Sequence, residues 1–380
     1  MSTTTHKGGL PGLSPEQQVL CLGARTFLDE DADAALRRLL SSPIDWDRLW
    51  ALGSRHEAIP LLERSLPICS GGTIPADWLG RARRRRHATL RRNGILGDAL
   101  ARILRGLSDA GVEAIPIKGI VLAETLYDDL ALRPAADVDI LVRPADLRDA
   151  RTIIGGLGYV QAADPPFTDL VHEFHDSPYY LGTGPDQVCL ELHRGLWATR
   201  FYRLGVDGLW ERAVPAVVAG VDVLVLSPED TLLHLAIHRS RSALRLRWVC
   251  DVAELVRRHG ATLDWEGLLV RARAAGAETS LYVILSLAGE LLGAPPPPAV
   301  MSRLRPGVVK RALLERTCGA RAMFRDAAPD DLTQQPHLTL RVFEQDGAVQ
   351  IARSLGSSVR RTVRKQRHDS GIARVRPRTT

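Results

Sequence analysis

The spacing of apolar positions changes twice along the 380-residue chain. Residues 15–108 carry apolar side chains three or four positions apart, which predicts helices, and the same spacing returns over residues 201–300. Between these regions, residues 109–200 alternate short apolar runs with turn signals, which predicts strands interleaved with helices. The pattern therefore predicts an α+β core wrapped by N- and C-terminal helical regions.

The two ends of the chain follow other patterns. Residues 1–14 are predicted to be flexible and residues 301–359 to form a weaker helical extension. Residues 360–380, rich in Arg, Ser, Pro and Thr, predict a basic disordered tail. The sequence contains no apolar run suited to a signal peptide or a membrane span. Five dispersed cysteines favour reduced thiols and a cytoplasmic location over a disulfide framework.

Two predicted strands of the core carry acidic side chains among apolar ones. Asp137 and Asp139 begin the strand predicted over Val138–Val142, and Glu191 lies in the strand predicted over Gln187–His193. Because side chains two apart on a strand share a face, the two aspartates point the same way. Neighbouring carboxylates repel each other and are costly to desolvate. A divalent cation is the simplest explanation for placing them there.

Local signals around the acidic strands predict the elements that connect them. A strand over Val112–Ile117 leads into a helix over Gly119–Tyr127. The segment Gly182–Asp186 is typical of a turn between two strands. Ser227, followed by two acidic residues, is typical of a helix N-cap. Two further helices are predicted, over Asp264–Ala275 and Thr279–Leu292.

The ordered set of these residues resembles the uncharacterised nucleotidyltransferase family, which belongs to the superfamily that shares the catalytic fold of DNA polymerase β. The resemblance covers about residues 40 to 300 and implies that the core is a mixed sheet with flanking helices. It is carried by Lys118-Gly119, Tyr127, Leu132-Arg133-Pro134, Asp137-Val-Asp139, Gly158-Tyr159, Leu190-Glu-Leu-His193, His234 with His238, Leu246-Arg-Trp248 and Asp251.

The resemblance implies transfer of an NMP from an NTP, with ATP among the candidate donors, to a hydroxyl by two-metal in-line displacement. It implies that Asp137 and Asp139 hold two Mg²⁺ ions, with Mn²⁺ as a substitute. Glu191 is expected to complete the ligand set and to draw the proton from the acceptor. The expected acceptor is a small molecule or a peptide natural product, because family members resemble accessory tailoring enzymes. RNA and a protein side chain are the alternatives.

The candidate nucleotide-binding residues are Lys118, Gly119, Arg133 and His193. Gly119 is expected to let the backbone approach a triphosphate at a helix N-terminus, and Lys118 to add a point charge. A salt bridge is the alternative role of Lys118. Arg133 either reaches phosphate or pairs with one of the acidic residues 128–129, and His193 either orients a carboxylate or packs in the core. Better-known superfamily members carry Gly-Ser where this chain has Lys-Gly, so a decayed nucleotide-binding or scaffold protein is a rival interpretation.

Charge adds one further candidate surface. The net charge is +6, and only four of the 50 basic residues are lysines, which indicates a GC-rich coding sequence and favours a bacterial source. The run Arg81–Arg86 is either a solvated helix face or a basic ledge for a polyanion such as RNA. The sequence gives no indication of oligomeric state.

Three other groups of residues have structural rather than functional explanations. His234 and His238 lie four residues apart but lack the glutamate of a zinc protease, so structural histidines are expected. Residues 172–175 with Cys189 lack zinc-binding spacing. The glycines of 155–158 follow a predicted helix, which favours a C-cap over a dinucleotide loop.

Overall fold

The fold is a mixed sheet surrounded by helices, seen in a computed structural model that describes residues 12–162, 178–196, 205–239 and 245–325, together with residues 10, 202 and 346. The helices before the sheet are α1 Pro15–Gly23, α2 Glu30–Leu40, α3 Trp46–Arg55, α4 Ile59–Cys69 and α5 Ala76–Asp109. Those within the sheet region are α6 Gly119–Leu126, α7 Leu147–Gly156 and α8 Asp207–Glu211. Those that follow are α9 Pro228–Arg239, α10 Leu246–His259, α11 Trp265–Ala275, α12 Glu278–Leu292, α13 Pro298–Leu304, α14 Val308–Cys318 and α15 Ala320–Met323.

Five strands form the sheet in the order β1-β2-β5-β4-β3. Their bounds are β1 Ala114–Ile117, β2 Val138–Val142, β3 Val160–Gln161, β4 Tyr179–Leu181 and β5 Val188–His193. The pair β2–β5 is parallel and the other pairs are antiparallel, so the sheet is mixed. This arrangement confirms the predicted α+β class, and the predicted bounds of β2 match those observed.

The two central strands lie in the interior because their side chains are mostly apolar. All five residues of β2 are buried, and β5 has four buried and two half-buried residues. The long helix α5 packs against this sheet, where Leu96, Leu100 and Ile103 are almost completely buried. A second apolar cluster joins helices from before and after the sheet, including α1, α4, α10 and α12. The acidic residues of β2 and β5 therefore lie on strands that are largely excluded from solvent.

The region predicted as helical over 201–300 also contains a β-hairpin, which the sequence reasoning missed. Strands β6 Val214–Val218 and β7 Val221–Val225 pair antiparallel around Ala219-Gly220. Both turn residues have positive φ, 51° and 70°, as a two-residue hairpin turn with the favoured twist requires. The alternating valines around a glycine were the signal for this element.

Some predictions fall outside the described residues. These are the basic tail 360–380, nearly all of 326–359 and the histidines at 172 and 175. The predicted domain boundaries stay predictions. Among the described residues, no helix combines the length and apolar character needed to cross a bilayer. Helix α7 ends at Gly156, followed by Gly158 with φ 90°, in agreement with the predicted C-cap.

His56 connects the helices that precede the sheet to helix α10, which follows it. Its ring is fully buried, and its Nδ1 accepts a hydrogen bond of 3.1 Å from the backbone N–H of Leu246. Burial, with Arg55 and Arg245 nearby, lowers the pKa of His56 from 6.5 to about 3. Because the folded pKa lies below the unfolded one, stability is lost as pH falls below about 6.5.

We expect His56→Gln, which keeps an acceptor for Leu246, to reduce the acid sensitivity of the fold. The free energy of unfolding should fall between pH 7 and pH 4 by about 3 kcal/mol less in this variant than in the wild type. Urea unfolding at the two pH values measures the difference. Equal losses in both proteins would contradict the neutral, buried state of His56.

Candidate active site

The parallel pairing of β2 with β5 brings the predicted acidic residues together. The strand register places Asp139 opposite Glu191, and His193 lies two residues further along β5 on the same face. One ligand atom from each of Asp139, Glu191 and His193 lies within 4.8 Å of the others. Two carboxylates and an imidazole at this separation could hold a metal ion. Carboxylate oxygens suit Mg²⁺ and Mn²⁺, whereas the imidazole is a better ligand for Mn²⁺ than for Mg²⁺.

Asp139 is the centre of the polar contacts. It is 4% exposed, and its Oδ1 accepts a hydrogen bond of 2.8 Å from Nζ of Lys118. Nε2 of His193 lies 2.8 Å from the same oxygen and 3.5 Å from Oε2 of Glu191. Sequence reasoning placed Lys118 and His193 toward nucleotide, and the structure places both against a carboxylate. Lys118 therefore forms a salt bridge, but a buried one with Asp139.

The proximity of opposite charges fixes the protonation of this cluster. Burial works against the charged forms, yet Lys118 and the hydrogen bond from His193 hold the pKa of Asp139 well below its usual value. Against the same effect of burial, Asp139 raises the pKa of Lys118, and hydrogen bonds to Asp139 and Glu191 raise the pKa of His193. The stabilisation from Asp139 is thus present above its unfolded pKa and lost as the pH falls toward its lower folded pKa.

Asp137 has the opposite shift. It is half-buried just before β2, and burial together with the charge of Asp139 raises its pKa to about 6. Burial and the neighbouring negative charge outweigh the opposite effects of Lys118 and Arg247 on this carboxylate. Asp137 and Asp139 line one cavity of about 180 Å³, so additional positive charge in that cavity would stabilise both.

The Lys118-Gly119 segment has an unusual backbone for its sequence. Lys118 has φ 54° and ψ −140°, a conformation that a residue with a side chain rarely adopts. Gly119 has φ 32°, and a Cβ atom there would lie 3.1 Å from the carbonyl oxygen of Asp137. Gly119 thus allows helix α6 to begin against the acidic strand. Backbone strain of this kind is concentrated at functional sites.

Arg133 is buried and connects this segment to helix α10 through hydrogen bonds. Its Nε and Nη2 each donate to Asp251 at 2.9 Å, and its Nη1 donates to the carbonyl oxygen of Gly119 at 3.0 Å. The hydroxyl of Tyr127 donates to the same aspartate at 3.0 Å. Arg133 and Asp251 are 2% and 0% exposed. The alternative that Arg133 pairs at 128–129 is wrong, because those aspartates contact Arg258 and Arg86 instead.

Asn93 positions the loop that carries Arg133, and the sequence reasoning missed it. The Asn93 side chain is 1% exposed and makes three hydrogen bonds of 2.6–3.1 Å to the backbone of residues 130–135. From the facing helix α10, Arg247 donates to the carbonyl oxygen of Pro134 at 3.1 Å. An asparagine on the buried face of helix α5 was the signal for this role.

Helices α9 and α10 close the acidic cavity with His238, Arg247 and Trp248. The rings of His238 and Trp248 pack edge to face, 4.8 Å between centroids, and the guanidinium of Arg247 lies 4.4 Å from the Trp248 ring. His234 lines a neighbouring cavity and does not join the acidic cluster. The motif residues 246–248 thus supply a positive and aromatic wall opposite the carboxylates.

The basic run of α5 forms ion pairs on the protein surface. Arg83 and Arg86 lie 3.8 and 3.6 Å from Glu63, and Arg86 also contacts Asp129. The Arg81 guanidinium stacks 4.0 Å from the ring of Trp50. These contacts favour the solvated helix face over a ledge for a polyanion.

Lys118 and Gly119 thus begin helix α6 beside the acidic strand β2 of the mixed sheet. The model of the uncharacterised nucleotidyltransferase family matches residues 42–293, which is more than half of the chain. The chain therefore belongs to that family, as its sequence predicted. A crystal structure of an antigenic nucleotidyltransferase-like protein from Paracoccidioides brasiliensis is similar at 12% identity and a TM-score of 0.35, over 55% of this chain and 96% of that one. No curated protein matches.

Proposed function

We propose that this protein is a Mg²⁺-dependent nucleotidyltransferase that moves an NMP, with AMP the leading candidate, from an NTP to a hydroxyl of a small molecule or peptide. The observation that carries the proposal is the pairing of Asp139 with Glu191 across parallel strands, beside Asp137 and Lys118. Membership of the nucleotidyltransferase family supports the same reaction class.

Each residue has a stated role in this proposal. Asp137, Asp139 and Glu191 are the ligands of two Mg²⁺ ions, for which Mn²⁺ can substitute. Those ions would supply positive charge to the attacking and leaving oxygens. The acceptor oxygen forms a bond to the α-phosphorus while the bond to the pyrophosphate oxygen breaks. Glu191 accepts the proton that the acceptor hydroxyl loses.

Lys118, Gly119, Arg133 and His193 form the nucleotide side. Lys118 exchanges Asp139 for a phosphate oxygen when the donor binds, and the N-terminus of α6 at Gly119 faces the triphosphate. Arg133 acts through Gly119, whose carbonyl oxygen it holds, and His193 orients Asp139 and Glu191. We place the reaction in the cytoplasm, since all five cysteines are free thiols.

Incubation with each α-labelled NTP, Mg²⁺ and a small-molecule cell extract tests the proposal. We expect a labelled product together with one pyrophosphate per transfer, and at least about a hundred-fold loss in Glu191→Gln, equivalent to about 2.7 kcal/mol. The matched control is Glu113→Gln, since this exposed glutamate pairs with Arg143 away from the cavity. Mg²⁺-dependent nucleotide binding without pyrophosphate release would instead favour a decayed nucleotide-binding protein.

A second expectation concerns Lys118 alone. Because the ammonium of Lys118 lies 2.8 Å from Oδ1 of Asp139, Lys118 would compete with a metal ion for that oxygen. We expect Lys118→Met to bind Mn²⁺ about ten-fold more tightly in the absence of nucleotide, about 1.4 kcal/mol, while binding ATP more weakly. Isothermal titration with Mn²⁺ and then with ATP measures both effects. Unchanged Mn²⁺ affinity would show that Lys118 does not compete.

A further inference from the structure

A second cavity lies beside the acidic one and has the opposite chemistry. It has a volume of about 290 Å³ and shares Lys118 with the acidic cavity. Its walls come from β1, helix α6, the β6–β7 hairpin and the helices α9 and α10. The wall is mostly hydrocarbon, with Val121, Leu122, Ala216, Leu226 and Leu235 among its residues.

An apolar cavity of this size favours an apolar occupant. A cavity of about 150 Å³ lined by aliphatic and aromatic side chains can stay dry and bind benzene, and this one is larger. Removing apolar surface from water contributes about 25 cal/mol per Å². The polar side chains of the wall are Lys118, Thr125, Thr231, His234 and His259, and the other lining residues are apolar.

We infer that this cavity binds the acceptor and selects one whose hydroxyl is attached to an aliphatic or aromatic group. The inference rests on the proposed function and makes its acceptor class more specific. Sugars and RNA 3′ ends lack such a group beside the reacting hydroxyl, so they fit this wall poorly. Lys118, at the boundary of the two cavities, marks where the acceptor and the donor phosphates meet.

The two cavities differ in charge, and this difference assigns the NTP donor to the acidic cavity and the acceptor to the apolar one. The acidic cavity holds Asp137, Asp139 and Glu191 together with Arg247, which matches a metal-bound triphosphate. The walls of the apolar cavity are mostly aliphatic, with Lys118, two threonines and two histidines as the polar side chains, and they suit an apolar group better than a triphosphate. The acceptor is the remaining reactant, and it must reach the same phosphorus from a neighbouring position.

The β6–β7 hairpin offers a matched pair of substitutions. Ala216 lines the cavity, whereas Val217 is the next residue on the same strand, points the other way and is 63% exposed. Ala216→Phe would fill the cavity, and Val217→Phe would add the same group to the outer face. Thr125→Met on helix α6 fills the cavity from the opposite wall if Ala216→Phe fails to fold.

The experiment measures binding of the neutral fluorophore N-phenyl-1-naphthylamine to full-length protein. We expect saturable binding to the wild type and to Val217→Phe, and at least ten-fold weaker binding to Ala216→Phe. Primary alkanols should displace the probe more effectively as they lengthen, by about four-fold per methylene, from about 0.8 kcal/mol per buried CH₂. Circular dichroism and a thermal melt establish that each variant folds.

A non-hydrolysable ATP analogue with Mg²⁺ separates the two possible occupants. If the probe binds equally well in saturating nucleotide, the result supports an acceptor site. If the nucleotide displaces the probe one to one, the result overturns the acceptor role and assigns the cavity to the nucleobase of ATP. Equal probe binding by wild type and both cavity-filling variants would overturn the site itself. If the nucleotide does not bind, both the proposed function and the acceptor role are wrong. The comparison of Ala216→Phe with Val217→Phe still tests whether the cavity binds apolar molecules.

Discussion

Replacing Asp139 by asparagine is expected to abolish nucleotidyl transfer and to weaken Mn²⁺ binding about a hundred-fold. Asp139 is the most buried of the three candidate carboxylate ligands, and one of its oxygens contacts both Lys118 and His193. Asparagine keeps the shape of the side chain but removes the negative charge that pairs with Lys118 and that a metal ion requires. We expect kcat/KM to fall at least about a thousand-fold, about 4 kcal/mol of barrier.

The matched control for this substitution is Asp128→Asn. Asp128 is 81% exposed and pairs with Arg258, so the same chemical change there should leave activity and Mn²⁺ binding unchanged. Pyrophosphate release and Mn²⁺ titration measure the two effects. Full activity of folded Asp139→Asn would refute the assignment of the site.

Replacing Arg133 by methionine is expected to cost about 3–5 kcal/mol of unfolding free energy, because it leaves Asp251 buried and unpaired. The pair is 2% and 0% exposed, and three hydrogen bonds connect Arg133 to Asp251 and Gly119. Urea unfolding measures the loss. We also expect nucleotide binding to weaken, because the Gly119 carbonyl loses its donor and the start of α6 loosens.

Two comparisons establish whether burial is the cause. Arg86→Met breaks a pair with Asp129 in which each side chain is 33% exposed, and it should cost about 1 kcal/mol or less. Combining Arg133→Met with Asp251→Leu removes both buried charges, so the double variant should lose less than the sum of the single losses. If Arg133→Met loses no more unfolding free energy than Arg86→Met, the buried pair of Arg133 with Asp251 does not stabilise the fold as proposed.

The sequence by itself determined the acidic strands and their order. The alternation of Asp137 and Asp139 with valine and isoleucine required a strand, and Glu191 between leucines required a second one. The family match of residues 42–293 and the bounds of β2 agree with that analysis. Local periodicity suffices here, because polar and apolar side chains alternate along both segments with the two-residue repeat of a strand.

The tertiary structure alone decided which partners these residues have. Register across parallel strands set Asp139 opposite Glu191, and contacts across 118 and 124 positions in sequence joined Asp251 to Arg133 and Tyr127. Nothing local specifies such pairings, because they depend on how helix α10 packs over the sheet. The apolar cavity arises in the same way, from a hairpin, two helices and a strand distant in sequence. The sequence thus determined the candidate site residues, and packing determined which residues lie beside them.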